Sequence, residues 1–370
     1  MTHDVFDPLR HHGDVDAEPG LLDFAVNVRG QRPPQWLLDR LTVALDRIGR
    51  YPSARDDARA RAMVADRHRR RPEEILVLAG ASEGFALLPN LRPTLAAIVH
   101  PSFTEPEVVL RNARVAVRRV ILEADDGYTL APERVPAEAD LVVVGNPTNP
   151  TSVLHPAATL RRLARPGRVL LVDEAFMDAV VGETESLADT TDVPGLIVLR
   201  SLTKTWSLPG LRAGYAIAEP ALLARLAANR PQWPVGTLVL EAVTACSEPL
   251  AVAGAELAAM DLTAHRDRLA AALAAIPGVA VHLPASAPFL LLRVPNGERV
   301  RAGLRRRGIA VRRADTFPGL TGDHLRVAVK PDEQAAALVA ALRAELTAGG
   351  GPDPLPPAGG RGRESTEVTP

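Results

Sequence analysis

The chain of 370 residues lacks the features that mark several large classes of protein. Its one cysteine, Cys246, cannot form an internal disulfide or supply a zinc site built on cysteines. No stretch approaches the roughly 18 uninterrupted apolar residues of a membrane-spanning helix, and the first residues do not resemble a secretory signal. The net charge of -1 gives no reason to expect a nucleic acid or an anionic membrane as partner. We therefore expect a cytoplasmic protein that binds a small molecule and no metal ion.

Lysine is almost absent as well. Of the 43 lysine and arginine residues, only Lys204 and Lys330 are lysines. A lysine that persists where arginine is used almost everywhere else is expected at a position where a guanidinium cannot act. Formation of an imine with an aldehyde is such a task, because it requires a primary amine that can lose its proton.

The pattern of apolar residues predicts an α/β protein. An apolar fraction of 46% and a charged fraction of 24% are typical of soluble globular proteins. Short apolar runs alternate with polar or helical segments, and such runs predict buried strands of a mostly parallel sheet. The predicted strands are residues 75–79, 96–100, 117–122, 141–145, 169–173, 196–200 and 213–218.

The length of the chain suggests two domains. We expect an N-terminal arm at residues 1–34, followed by a large domain at residues 35–236 that contains the predicted sheet. An alanine-rich helical stretch then opens a smaller α+β domain at residues 237–348. Residues 349–370 are rich in glycine and proline without apolar periodicity, which predicts a disordered tail.

Polar motifs follow several of the predicted strands, at the edge where open α/β sheets bind their ligands. They are GASEG (80–84), NPTNPTS (146–152), Asp173 with Glu174, and SLTK (201–204) with Arg212 eight residues later. A glycine turn before a helix presents backbone N–H groups to a phosphate, and a buried carboxylate stabilises a protonated nitrogen. Taken singly, each motif is also compatible with an ordinary turn or a solvated charge.

The order and spacing of these motifs resemble the class I and II aminotransferases, over a stretch from about Leu21 to Leu346. These are pyridoxal 5'-phosphate (PLP) enzymes of fold type I. The resemblance implies the aspartate aminotransferase-like fold, with a mostly parallel seven-stranded sheet in the large domain and a smaller α+β C-terminal domain. It also implies PLP as the cofactor and a homodimer with shared active sites.

The resemblance assigns two catalytic residues. Lys204 is implied as the lysine that binds PLP as a Schiff base and moves a proton, and Asp173 as the partner of the ring nitrogen. Asn149 is implied as the partner of the phenolic oxygen O3', Phe103 as the aromatic side chain on the ring face, and Tyr51 as the tyrosine that reaches the phosphate across the dimer. The remaining cofactor-binding residues are Ala81, Ser82, Glu83, Phe176, Ser201, Thr203 and Arg212, and the substrate-binding residues are Asn27, Arg312 and Arg326.

Two members of the family are candidates for the activity. The opening HHGD (11–14) and the phenylalanine at position 176, where aminotransferases usually have tyrosine, resemble the threonine-phosphate decarboxylase of cobalamin biosynthesis. Histidinol-phosphate aminotransferase is the alternative. Val26, Arg29 and PVG (234–236) depart from the usual pattern in segments that face the substrate, so the substrate and the choice between transamination and decarboxylation stay open. A non-catalytic PLP-binding regulator is a remote alternative, because no basic winged-helix domain precedes the motifs.

Overall fold

The computed structural model describes residues 7–348, so the tail predicted for residues 349–370 lies outside the described residues. The strands are β1 (Leu22–Asp23), β2 (Ile75–Leu78), β3 (Leu95–His100), β4 (Ala116–Ile121), β5 (Leu141–Gly145), β6 (Val169–Asp173), β7 (Leu196–Ser201), β8 (Gly214–Ala218), β9 (Ala280–Val281), β10 (Phe289–Arg293), β11 (Ile309–Ala310), β12 (Arg312–Arg313) and β13 (His324–Ala328). The α-helices are α1 (Gly13–Asp16), α2 (Gln35–Ala44), α3 (Ala54–His68), α4 (Ala81–Ala86), α5 (Glu105–Asn112), α6 (Ala157–Arg161), α7 (Pro220–Leu226), α8 (Thr237–Ser247), α9 (Pro249–Ala274), α10 (Gly297–Arg306) and α11 (Asp332–Ala348).

The large domain is built on a seven-stranded sheet with the strand order β2-β8-β7-β6-β5-β3-β4. Strand β8 is antiparallel to both of its neighbours, and the other pairs are parallel. Each of the seven apolar runs forms one of these strands, which confirms the predicted fold class. The carboxyl ends of the parallel strands lie at one edge of the sheet, which is where such sheets bind ligands.

The central strands are apolar on both faces because both faces are covered. Leu170 and Val172 of β6 belong to a core shared with residues of α2, α3 and α8, whereas Leu171 belongs to a second core shared with residues of α4, α5 and α7. Successive side chains of a strand point to opposite faces, so a nearly continuous apolar run is what a doubly covered strand requires.

A separate sheet and core form the smaller domain. Strands β12, β13, β10 and β9 pair antiparallel in that order, and their apolar side chains pack with those of α10 and α11. The N-terminal segment joins this domain, because β1 pairs in parallel with β11 and the fully buried Phe24 lies in the same core.

The predicted helical stretch at residues 237–275 is two helices rather than one. Glu248 has extended backbone geometry immediately before Pro249, as expected of a residue that precedes proline. Helix α8 packs against α2 and α3 in the large domain, and only the second half of α9 contributes to the core of the smaller domain. The division at residue 236 stays a prediction.

No single helix in residues 7–348 has the length and hydropathy of a membrane span, although α8 and α9 together, bent by 71°, would satisfy both criteria.

Candidate active site

A cavity of about 520 Å³ lies at the carboxyl edge of the large sheet. Its walls come from the strand ends, from the N-terminal segment, and from β12 and β13 of the smaller domain. The volume falls in the usual range for a small-molecule site. Most of the predicted site residues line it: Asn27, Ala81, Ser82, Phe103, Asn149, Asp173, Phe176, Ser201, Thr203, Lys204, Arg212, Arg312 and Arg326.

Lys204 lies three residues beyond the end of β7 and lines the cavity. Burial lowers the pKa of its amine to about 8, and the positive charges of Arg326 and Arg212 add to this effect. Its carbonyl oxygen accepts a hydrogen bond from the backbone N–H of Arg29, 3.1 Å away. A lysine with a lowered pKa is partly neutral near physiological pH, and an imine-forming residue requires the neutral amine.

Asp173 ends β6 and also lines the cavity. Burial raises the pKa of its carboxyl to about 6, and a hydrogen bond from the N–H of Ala175, 3.1 Å from Oδ1, only partly offsets this. Among residues 7–348 no cationic side chain is bonded to Asp173, and such a carboxylate is a favourable partner for a protonated ring nitrogen.

The glycine turn before α4 forms a narrow cradle with Arg212. Arg212 Nη2 donates to Ser82 Oγ at 2.5 Å. A Cβ atom at Gly80 would lie 3.0 Å from the same Nη2, and one at Gly214 would lie 2.6 Å from the carbonyl oxygen of Arg200. Both positions therefore require glycine for the close approach of the chain segments, and Ala81 lines the cavity.

Aromatic side chains cover two sides of the cavity. Phe103 lies 5.9 Å from Phe85, centroid to centroid, and 5.5 Å from the imidazole ring of His12. Phe176 is buried and packs edge to face on Phe289 at 5.0 Å. A flat heteroaromatic ligand would meet apolar surface on these two sides.

Arg326 of β13 is a buried cation bonded to neutral acceptors. Its Nη1 donates to Asn149 Oδ1 at 2.6 Å, and its Nη2 donates to the carbonyl oxygen of Ala25. The Nε atom has no hydrogen-bond partner among the described residues. Burial and the nearby charge of Arg312 lower the pKa of this guanidinium to about 9. An incoming anion would bind to the guanidinium and stabilise its charged form.

Arg312 of β12 faces Arg326 across the strand pair, but its surroundings differ. Its two Nη atoms donate to Asp16 Oδ2 at 3.4 Å and to Thr316 Oγ1 at 2.8 Å. They also donate to the carbonyl oxygens of Arg313 at 2.9 Å and His11 at 2.7 Å. Four of the five N–H donors of a guanidinium are thus engaged.

Two of the predicted cofactor-binding side chains do not reach the cavity. Glu83 accepts from the N–H of Ala79 at 2.6 Å and pairs with Arg230 at 2.9 Å, so its carboxylate is held beside β2. Tyr51 is 72% exposed and stacks on Trp233, with ring centroids 4.2 Å apart. The predicted contact of Tyr51 with the cofactor phosphate of a partner subunit stays a prediction.

The N-terminal segment contributes residues that the sequence did not assign to the site. His11, His12, Gly13 and Asp14 line the cavity, although they fall in the predicted arm. The HHGD motif was the available signal, but sequence spacing does not reveal that this segment folds back over the sheet edge. Asn27, farther along the segment, is buried with Oδ1 unpartnered among the described residues, so it offers an acceptor to a ligand.

These residues fit the cofactor that the sequence resemblance implies. The cradle around Gly80 suits a phosphate, the walls at Phe103 and Phe176 suit a ring, and Lys204 with Asp173 supplies the amine and the carboxylate. The unpartnered Oδ1 of Asn27 and Nε of Arg326 are buried polar atoms that a bound molecule would satisfy.

Comparisons with known proteins agree with this geometry. The family model "Aminotransferase class I and II" matches residues 22–342. A histidinol-phosphate aminotransferase of Mycobacterium tuberculosis is 52% identical over 323 residues, which cover 87% of this chain and 87% of that protein. The threonine-phosphate decarboxylase of Salmonella typhimurium is 33% identical over 350 residues, which cover 88% and 92% of the two chains.

Solved structures have the same fold. The histidinol-phosphate aminotransferase of Clostridium acetobutylicum superposes with a TM-score of 0.80 at 23% identity, covering 88% of this chain and 98% of that one. The L-threonine-O-3-phosphate decarboxylase of Porphyromonas gingivalis gives a TM-score of 0.78 at 25% identity, covering 88% and 99%. Because both activities occur on this fold, the fold does not separate them.

Proposed function

The chain belongs to the class I and II aminotransferase family, which implies a PLP-dependent enzyme, and we propose that it is an aminotransferase of the histidinol-phosphate type. The relatives named histidinol-phosphate aminotransferase share 52% identity with it, against 33% for the threonine-phosphate decarboxylase. The comparisons therefore favour the histidinol-phosphate aminotransferase. In the sequence, HHGD and Phe176 had favoured the decarboxylase.

The arginines of the cavity are compatible with this choice. Threonine phosphate carries two anionic groups, a carboxylate and a phosphate, whereas histidinol phosphate carries the phosphate alone. Arg326 is bonded only to neutral acceptors and keeps an unpartnered Nε, whereas Arg312 is already paired with Asp16. Arg326 is thus available to the phosphate of histidinol phosphate, and the 52% identity to the relatives of that name is the observation that carries the proposal.

Each group of site residues then has a task. The phosphate of PLP would bind at Ser82 and Arg212, and Asp173 would hold a proton on the ring nitrogen. When bound, PLP supplies an electron sink that stabilises negative charge at the substrate carbon. Lys204 would hold the cofactor and move a proton at Nζ, for which a pKa of about 8 is well placed. Arg326 would orient the anionic group of the substrate.

A second copy of the chain is the partner we propose. Tyr51 and Trp233 form a stacked and exposed aromatic pair, and Val43 and Ile48 of the neighbouring segment are also exposed, at 71% and 58%. Exposed apolar side chains in such numbers are typical of an interface. The resemblance to the family implies that Tyr51 lies at this interface and that its hydroxyl would reach the partner's site.

The proposed activity is tested with the purified protein loaded with PLP. Histidinol phosphate, glutamate and O-phosphothreonine are added separately, and the loss of the visible absorption band, the keto product and CO2 are measured. We expect histidinol phosphate to convert the cofactor to its pyridoxamine form without release of CO2. Release of CO2 from O-phosphothreonine, with no conversion by histidinol phosphate, would overturn the proposal. Lys204→Ala serves as the control that lacks the amine.

A further inference from the structure

Phe289 lies directly behind the wall of the active-site cavity. It begins β10 and is fully buried, and it is not among the described residues that line the cavity. Leu291 of the same strand pairs with Arg326 of β13. Because side chains two residues apart on a strand share a face, Phe289 and Arg326 are diagonal neighbours on one face of the smaller sheet.

The ring of Phe289 contacts two side chains that do line the cavity. The Cζ atom of Arg326 lies over the ring, 5.3 Å from its centroid. Phe176 packs edge to face with the same ring, with centroids 5.0 Å apart. A guanidinium over an aromatic face is attracted by the negative charge of that face, and the contact with Phe176 favours one orientation of the ring. Phe289 therefore joins the proposed substrate-binding arginine to one wall of the cavity.

Arg326 has few other contacts that stabilise its charge. Its hydrogen bonds go to two neutral oxygens, Asn149 Oδ1 and the carbonyl oxygen of Ala25, and its Nε has no partner among residues 7–348. Burial of a cation without a carboxylate is costly, and burial lowers the pKa of this guanidinium to about 9. An aromatic face attracts the cation without occupying an N–H donor, whereas a carboxylate in its place would compete with a substrate for the same donors.

The strand that carries Phe289 is bonded to the loop that carries Asn149. Ser152 Oγ, in the same loop, accepts a hydrogen bond from the N–H of Ala287 at 2.7 Å. Asn149 in turn accepts from Arg326 Nη1 at 2.6 Å. The ring, the amide and the guanidinium thus belong to one connected set of contacts, so we expect loss of the ring to change the position of the guanidinium.

We propose that Phe289 is a positioning residue, whose ring holds the guanidinium of Arg326 in the orientation that binds the anionic group of a substrate. The inference rests on the role of Arg326 in the proposed function, and it applies equally to a carboxylate and to a phosphate. Phe289 acts through Arg326 and does not touch the substrate itself.

The binding of two ligands to the PLP-loaded protein tests this inference. Glutarate carries two carboxylates and propylphosphonate carries a phosphonate, and both lack the amine needed to react with PLP. Each is titrated calorimetrically. In Phe289→Leu, which removes the aromatic face and keeps an apolar side chain, we expect both ligands to bind about tenfold more weakly. The affinity for PLP should change less than about threefold.

Two comparisons separate positioning from a structural role. Leu292→Val is the matched control, because Leu292 lies on the opposite face of β10, in the core of the smaller domain. It should lower the free energy of unfolding and leave both affinities within about threefold of the wild type. In an Arg326→Gln background, Phe289→Leu should cause no further loss of affinity, as expected of a residue that acts through Arg326. If Phe289→Leu does not fold, Phe289→Met takes its place with the same expected results, because methionine adapts to irregular gaps.

Unchanged affinities in Phe289→Leu, an equal loss in Leu292→Val, or a loss that persists in the Arg326→Gln background would overturn the inference. If Arg326→Gln alone does not weaken binding, the inference fails with its premise. A failure of histidinol phosphate to react would contradict the proposed function and leave these affinities intact.

Discussion

The substitution Asp173→Asn should stabilise the protein without PLP and destabilise the protein that contains it. Asparagine keeps the shape of the side chain, and its Oδ1 can still accept from the N–H of Ala175. What it removes is a buried negative charge at the end of β6. The pKa of the Asp173 carboxyl is raised from 3.8 to about 6, chiefly by burial.

The magnitude follows from this difference in pKa. A carboxyl with a raised pKa in the folded state costs stability above that pKa, and the cost disappears as the pH falls. Two pKa units correspond to about 3 kcal/mol. At pH 8 the variant without PLP should therefore be more stable by up to about 3 kcal/mol, and the advantage should fall to about half at pH 5 and vanish near pH 3.

Urea denaturation at pH 8 and pH 5, with and without PLP, measures these differences. With PLP bound, the order should reverse, because the neutral amide of the variant cannot balance the charge of a protonated ring nitrogen. Asp140→Asn is the matched control: hydrogen bonds from Thr94 and Leu95 help to lower the pKa of Asp140, so its loss should destabilise the protein most at high pH. A wild type that is equally or more stable than Asp173→Asn at pH 8 without PLP would refute the reasoning.

Three other expectations follow from the site. Phe176→Tyr should lower the spectroscopic pKa of bound PLP by about one unit, because a phenol can donate to O3' and such bonds are worth about 1.5–3 kcal/mol; a pH titration of the visible band that gives an equal or higher pKa contradicts this. Light scattering should give the mass of a dimer, and Tyr51→Phe should weaken PLP binding, whereas a monomer with tightly bound PLP argues against shared sites. Glu83→Gln should leave the absorption spectrum of bound PLP unchanged, because the carboxylate of Glu83 faces Arg230. A changed spectrum would indicate that Glu83 contacts the cofactor.

Local patterns in the sequence were sufficient for the sheet of the large domain. The central strands are continuous apolar runs because they are covered on both faces, and this pattern depends only on neighbouring residues. The edge strand β4 is largely exposed, and Arg118 and Arg119 interrupt its run. Asp173 at the end of β6 and Lys204 shortly after β7 lie at one edge of the sheet because those strands are parallel. The placement of these residues therefore followed from chain order alone.

Contacts between distant segments were not predictable in this way. The pairing of β1 with β11 joins residues far apart in the chain, for example Leu22 with Ile309, and no local pattern encodes it. The pairing of Asp16 with Arg312 has the same origin. Glu83 lies in a motif of the family, but the charge of Arg230 turns its side chain away from the cavity.

The small number of lysines allows one direct test of the central claim, that Lys204 binds PLP. The protein is loaded with PLP and reduced with borohydride, and its proteolytic peptides are mapped by mass spectrometry. The structure places Lys204 in the cavity with a pKa of about 8, whereas Lys330 lies 3.4 Å from the carbonyl oxygen of Val28. We predict that the reduced adduct is found on the peptide that contains Lys204 and is lost in Lys204→Ala. An adduct on Lys330, or one retained in Lys204→Ala, would contradict the account.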